Sequence, residues 1–124
     1  MANKPSTPEK QELRTKIWRS LASTDRNLRR DWSALLCDKL TTWISLNEGI
    51  GTIAIYAAVE TEVDLSALHL SLLDQHRFAY PLISGSNLSF HMVQHPCELR
   101  YGTFNIPEPV PEIHPPVSPQ EIDL

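Results

Sequence analysis

Thr52-Ile53-Ala54-Ile55-Tyr56-Ala57-Ala58-Val59-Glu60-Thr61-Glu62-Val63-Asp64 is the stretch whose reading decides the fold. Gly49 and Gly51 lead into it, and Thr52 to Tyr56 is a β-rich run without charge. Such a run reads as a strand buried on both faces, of the kind parallel sheets use. Glu60, Glu62 and Asp64 follow, and an amphipathic helix opens at about Leu65. Ligands of open α/β sheets bind beyond the carboxyl ends of the strands, so acids placed there are candidate site residues. The competing reading is structural: Asp64 caps the helix and one glutamate is merely solvated.

Downstream, Leu65, Leu68, Leu70, Leu72 and Leu73 place a crossover helix that ends near Gln75-His76. Phe78 to Ile83 reads as a second strand with Pro81 at its exit, and Ser84 to Asn87 as a turn. Leu88 to Val93 alternates with period two, the pattern of a third, half-exposed strand. A β-α-β core therefore runs from Ile53 to Ile83. Upstream, Met1 to Ser6 is polar and expected to be loose. Thr7-Pro8-Glu9 opens a helix with a capping hydroxyl, a proline at the first helical position and an acid in the first turn. That helix carries Leu13, Ile17 and Leu21 on one face, while Lys10 and Arg14, four apart, share another. Ser23 or Thr24 caps a second helix from about Asp25 to Leu46. Its apolar stripe is Leu28, Trp32, Leu35, Leu36, Leu40, Trp43 and Ile44, and Arg26, Arg29 and Arg30 lie off it.

The expected architecture is α/β: a three-layer, mainly parallel sheet over residues 1–106, with the two amino-terminal helices packed across it. From Pro107 the composition changes. Pro107, Pro109, Pro111, Pro115, Pro116 and Pro119 exclude helix and sheet interior, so 107–124 reads as a Pro-rich surface strap. Its end, Glu121 to Leu124, looks like the start of another strand that stops short. A sheet ending so exposes an edge, and edges associate, so a homodimer through that edge is expected.

The chain has 124 residues, enough for one domain. Cys37 and Cys97 are far apart and nothing resembles a secretory signal, which points to reduced thiols and a cytoplasmic location. No apolar run approaches the ~20 residues of a membrane span. Net charge is −4 but unevenly spread. Residues 1–40 hold nine of the eleven Lys and Arg against five acids, and the remainder holds two against ten. A basic amino-terminal segment on an acidic body suggests an anionic ligand near the first helices. A nucleic-acid-binding helix-turn-helix fits less well, because Asp31 and Asp38 interrupt the second helix.

His91, His95 and Cys97 have the chemistry of zinc ligands, but strand spacing holds the two histidines far apart and Pro96 intervenes, so no metal site is assigned. His69, His76 and His114 fall at positions that read as exposed and unpartnered. No nucleophile elbow, Walker loop or dinucleotide fingerprint is present. Tyr101-Gly102-Thr103-Phe104-Asn105-Ile106-Pro107-Glu108-Pro109 implies an ordered loop with Phe104 and Ile106 turned inward.

In order, these segments resemble the 5-formyltetrahydrofolate cyclo-ligase (5,10-methenyltetrahydrofolate synthetase) family. Lys10-Gln11-Glu12-Leu13-Arg14 matches its K-x-x-L-R, and Ile53 to Tyr56 followed by Glu62-Val63-Asp64 matches its strand and acidic motif. Pro81, Leu88-Ser89-Phe90 and Gly102-x-Phe104-x-Ile106-x-Glu108-Pro109 fall in the family's order. The resemblance implies an enzyme dependent on ATP and Mg2+. ATP phosphorylates the formyl oxygen of 5-formyltetrahydrofolate, N10 attacks, and phosphate leaves to give 5,10-methenyltetrahydrofolate. It further implies that Lys10 and Arg14 meet the ATP phosphates, with Arg14 also near the folate. Glu62 would accept the folate's N–H donors, with Tyr56 and Ala57 lining the pocket; no catalytic residue is assigned. Three positions depart from the family: Leu65, Leu82 and Asn105. The family's glycine-rich ATP loop would lie beyond Leu124. The resemblance is therefore to the amino-terminal portion, and impaired or absent activity is expected of these 124 residues. The alternative is a non-catalytic binding or interaction module on the same fold.

Overall fold

The computed structural model describes residues 6–124, so the expectation for the first residues of the chain falls almost wholly outside it. Helix α1 (Pro8–Ser23) starts where the sequence places it, with the Thr7 hydroxyl accepting from the Lys10 amide. Helix α2 (Arg26–Ser45) is capped by Asp25, whose carboxylate accepts from the Asn27 and Leu28 amides, rather than by Ser23 or Thr24. Next come strand β1 (Thr52–Ala54), helix α3 (Ser66–Leu72), β2 (Arg77–Ser84) and β3 (Asn87–Val93). Three two-residue strands follow: β4 (Arg100–Tyr101), β5 (Pro107–Glu108) and β6 (Pro116–Val117).

The α/β class stands, and the expected three-layer, mainly parallel sheet resolves as a mixed one. Its order is β1-β2-β3-β6, with β1 and β2 parallel and the β2–β3 and β3–β6 pairs antiparallel. The reason is local. Two residues, Gly85 and Ser86, join β2 to β3, and only an antiparallel hairpin closes so tightly. Gly85 takes the positive φ of 61° that such a turn demands.

Ile53, Phe78 and Val93 lie in register across β1, β2 and β3, and Ile55 and Tyr80 stand two residues on, on the same face. They form the core together with Cys37 and Ile44 of α2 and Leu68 and Leu72 of α3. His69 lies in this core, 1 % exposed and stacked on Phe78 with ring centroids 4.1 Å apart. Its nitrogens bond the Tyr80 hydroxyl at 2.7 Å and the Gln94 carbonyl at 3.0 Å. The expectation of an exposed, unpartnered His69 is thus overturned. A histidine whose two nitrogens are both satisfied can occupy a leucine-rich helix face. His114 is likewise buried, its Nδ1 accepting from the Val110 amide.

The amino-terminal helices depart most from expectation. Helix α1 buries no residue, and Leu13, Ile17, Trp18 and Leu21 are all exposed. Helix α2 buries Ser33, Cys37 and Ile44, leaving Leu28, Trp32, Leu35, Leu36 and Trp43 exposed. The helices are not both packed across the sheet. Only a narrow, partly polar edge of α2 is.

The proline-rich segment is woven into the fold. As proline's missing amide requires, β6 is a two-residue edge strand on β3, and β5 pairs only with β4. At the chain's end Leu124 accepts from the Ala54 amide at 2.8 Å, and the Asp123 amide donates to the Thr52 carbonyl at 2.9 Å. The Asp123 carboxylate accepts from the Gly51 and Thr52 amides, both at 2.9 Å. Those bonds hold its pKa below the usual carboxylate value. The last residues therefore run along β1, but the expected strand start from Glu121 is not formed: Glu121 ends a 3-10 turn (Pro119–Glu121) and residues 122–124 are in no strand.

Candidate functional site

The loop from Tyr56 to Leu65 leaves the carboxyl end of β1 and is tied to α2. The Asp64 amide donates to Ser33 Oγ at 3.1 Å, and the Cys37 thiol donates to the Asp64 carbonyl at 3.4 Å. Arg29 Nη1 donates to the Glu60 carbonyl at 3.2 Å. Within the loop, the Tyr56 hydroxyl donates to the Val63 carbonyl at 2.9 Å, and Glu62 Oε1 accepts from the Val59 amide at 3.0 Å. Asp64 Oδ1 accepts from the Ser66 amide at 2.9 Å, but the N-cap of α3 is Leu65 and no side chain caps that helix. Glu62 likewise has a structural partner.

Of the clefts that flank this loop, two adjoin each other. The larger, about 340 Å³, has Arg26, Arg29 and Arg30 of α2 on one wall and Glu60, Glu62 and Asp64 on the other, with Ser33 and Cys37 in its lining. The smaller, about 170 Å³, is lined by Tyr56, Ala57, Tyr80, Leu99 and Pro107 among others. Asp64 and Ser66 line both, so the clefts share a wall. Tyr56 and Ala57 thus line the smaller cleft, and Glu62 belongs to the neighbouring charged one. Lys10 and Arg14 line neither; both are exposed on α1, and Arg14 Nη1 donates to the Ser6 hydroxyl at 2.9 Å.

The electrostatics follow from this placement. Burial, then the Glu62 and Asp64 charges, raise the Tyr56 phenol above its ordinary pKa. Burial first, then Asp64, raise Tyr80 well beyond the physiological range. Burial raises the Cys37 thiol, outweighing the Leu68 amide contact that lowers it. A thiol kept protonated is a poor nucleophile, so Cys37 serves the site as a hydrogen-bond donor. The arrangement offers carboxylate acceptors on one wall and guanidinium donors on the other. It suits a ligand carrying N–H donors at one end and negative charge at the other.

Sequence reasoning missed Arg26, Arg29, Arg30, Ser33 and Cys37 as lining residues. The available signal was the basic amino-terminal segment together with the i, i+4 spacing of Arg26 with Arg30 and of Arg29 with Ser33. The inward Phe104 is also corrected. Phe104 is 78 % exposed, and both it and Asn105 adopt left-handed backbone, at φ 58° and 56°. Asparagine tolerates that conformation, which accounts for Asn105 at a position where the family resembled has a small residue or glycine.

Among the described residues, no three His, Cys, Asp or Glu side chains converge to hold a metal ion. The histidine–cysteine cluster is otherwise engaged: His91 bonds Ser89 and the His114 carbonyl, and His95 accepts from the Cys97 amide. No helix of the described residues is long and apolar enough to cross a membrane.

No family model matches the chain, and no curated protein matches it. Among solved structures it is similar to Aquifex aeolicus 5,10-methenyltetrahydrofolate synthetase, with a TM-score of 0.77 and 27% sequence identity. The likeness covers 92% of this chain and 57% of that one. It bears out the α/β fold and the resemblance to the amino-terminal portion of a cyclo-ligase.

Proposed function

We propose that this chain binds a reduced folate of the 5-formyltetrahydrofolate class across the two joined clefts, as part of an ATP-dependent cyclo-ligase. The observation that supports this reading most is the pairing of a ring-sized cleft at Tyr56 and Ala57 with the Glu62 and Asp64 carboxylates beyond β1. A reduced pterin is flat and rich in N–H donors, and carboxylates are acceptors only, so the two are chemically matched. Glu62 and Asp64 accept the pterin's donors, and the Tyr56 side of the small cleft holds the ring. Lys10 and Arg14, two fixed cations one turn apart on α1, take the ATP phosphates. ATP supplies the phosphoryl group that activates the formyl oxygen. The described residues offer no cluster to hold Mg2+ by themselves, so no step is assigned to that ion.

The test is Glu62→Gln. Glutamine keeps an oxygen for the Val59 amide, so thermal melts should be unchanged. Calorimetric titration with 5-formyltetrahydrofolate should show binding weaker by about 1–3 kcal/mol. Equal binding by parent and variant sinks the role of Glu62, and no binding by the parent sinks the folate reading. An interaction module is the second reading, favoured by the exposed Trp18, Trp32 and Trp43.

A further inference from the structure

Another cavity, of about 380 Å³, lies where β2 starts and β3 ends, away from the loop that follows β1. It shares no lining residue with the two joined clefts. Phe78, Met92, Val93 and Ile113 give it an apolar lining, and the exposed Arg77 also borders it. His114 reaches it from the proline-rich segment and is only 3 % exposed. This residue is held at three points. Its amide donates to the Val110 carbonyl, its Nδ1 accepts from the Val110 amide, and its carbonyl accepts from His91 Nδ1, each at 2.8 Å. An Nδ1 that accepts carries no hydrogen, so in the neutral ring the hydrogen sits on Nε2. Nε2 is buried and has no hydrogen-bond partner among the described residues. Glu98 Oε1 lies 3.8 Å from it, too far for a hydrogen bond, and accepts from the His95 amide. His76 Nδ1, in the same lining, is a second buried atom without a partner among the described residues. A buried donor left unpaired costs stability, and an occupant that satisfies it recovers that loss.

We infer that this cavity binds a small neutral carboxamide with an apolar body. The inference is independent of the folate reading. The charges on the lining decide against other ligands. A carboxylate would meet the Glu98 side chain, and the exposed Arg77 offers it little, because water screens a surface ion pair. An ammonium group would meet the Nε2 hydrogen. A metal ion needs a bare Nε2, which the Val110 amide denies by engaging Nδ1. A carboxamide suits both groups at once. Its oxygen accepts from His114 Nε2–H, and its NH2 donates to Glu98, whose carboxylate keeps lone pairs beyond the one that the His95 amide uses. The apolar side chains then cover the rest of the ligand.

Three probes of similar size separate the possibilities: benzamide, benzoate and benzylamine. Each is titrated at neutral pH into isotope-labelled protein, with amide and imidazole NMR signals as the readout. Benzamide should shift the signals of His114, Met92 and Ile113, leave those of Tyr56 and Ala57 in place, and bind about tenfold more tightly than either charged probe. His114→Asn keeps an acceptor for the Val110 amide but withdraws the donor from the cavity. It should lose the preference for benzamide, with thermal melts to confirm folding. Glu98→Gln keeps an oxygen for the His95 amide and removes the charge, so benzoate should bind it several-fold more tightly than it binds the parent. If no probe binds the parent, the cavity holds water only and the inference is overturned. Equal binding of the three probes overturns it too, as do shifts centred on Tyr56 or an His114→Asn variant that keeps the preference. If His114→Asn melts early, Glu98→Gln decides alone: unchanged benzoate binding overturns the inference.

Discussion

The two amino-terminal helices and the β1–α3–β2–β3 body carry equally clear hydrophobic patterns, and they use them in opposite ways. In the body, Ile53, Leu68, Leu72, Phe78 and Val93 are all 3 % exposed or less. In the helices, Leu13, Ile17, Trp18, Trp32, Leu35 and Trp43 are about half exposed or more. All three tryptophans belong to the second group. Periodicity therefore tells which residues of an element share a face, while burial depends on a second surface arriving to cover it. In the body that surface is supplied by neighbouring strands and by α3. On the helices it is supplied only along the line Ser33–Cys37–Ile44.

The sharpest way to break the contrast is to remove one large side chain from each region. Phe78→Ala deletes a ring that is 1 % exposed and stacked on His69, and should cost about 3–5 kcal/mol in urea unfolding. His69→Leu comes next. It keeps the bulk but leaves the Tyr80 hydroxyl and Gln94 carbonyl without their partner, a loss of about 1–3 kcal/mol. This variant also carries a pH signature. Burial is the main cause that holds the His69 pKa below its ordinary value. The unfolded chain thus takes up a proton first, near pH ~6.5. The stability tied to neutral His69 is complete above that pH and drains away as pH falls towards the lowered folded value. Urea melts at pH 7.5 and 5.5 should show a drop in the parent that is smaller in His69→Leu.

Trp32→Ala, on the exposed stripe of α2, should by contrast cost less than about 1 kcal/mol. A loss as large as that of Phe78→Ala would mean that the helix face is covered in solution. The mildest difference is kinetic. Cys97 is exposed and should react promptly with a thiol reagent. Cys37, buried and with its pKa raised, should react only slowly until denaturant is added.

Much of the body was legible because its signals are local. The run Thr52–Tyr56, the Gly85–Ser86 turn and the alternation from Leu88 to Val93 each specify their own geometry. So does Thr7 at the start of α1. The sheet's mixed direction was also written in the turn length, although a mainly parallel sheet was expected. What stayed hidden depended on distant residues. Nothing around His69 announces Tyr80 and Gln94 as partners, and nothing around Ser33 announces the Asp64 amide. For the candidate site, the acids after β1 were identifiable from topology, and Glu62 and Asp64 do line the clefts. The arginine wall was legible only as a charge imbalance, because which face of α2 turns to the loop is fixed by tertiary contact. Lys10 and Arg14 were singled out by resemblance and stand apart from both clefts.

One residue links these regions. The amide and the carbonyl of Asp64 are both held by α2, through Ser33 and Cys37, and its carboxylate accepts from the Ser66 amide of α3. Three elements thus meet at a single pivot. A small roll of α2 about its axis would be passed directly to the acidic lip of the clefts, while the sheet beneath stayed still. Any protein or ligand that grips the exposed tryptophan face of α2 would then hold a lever on the opening at the other side of the helix.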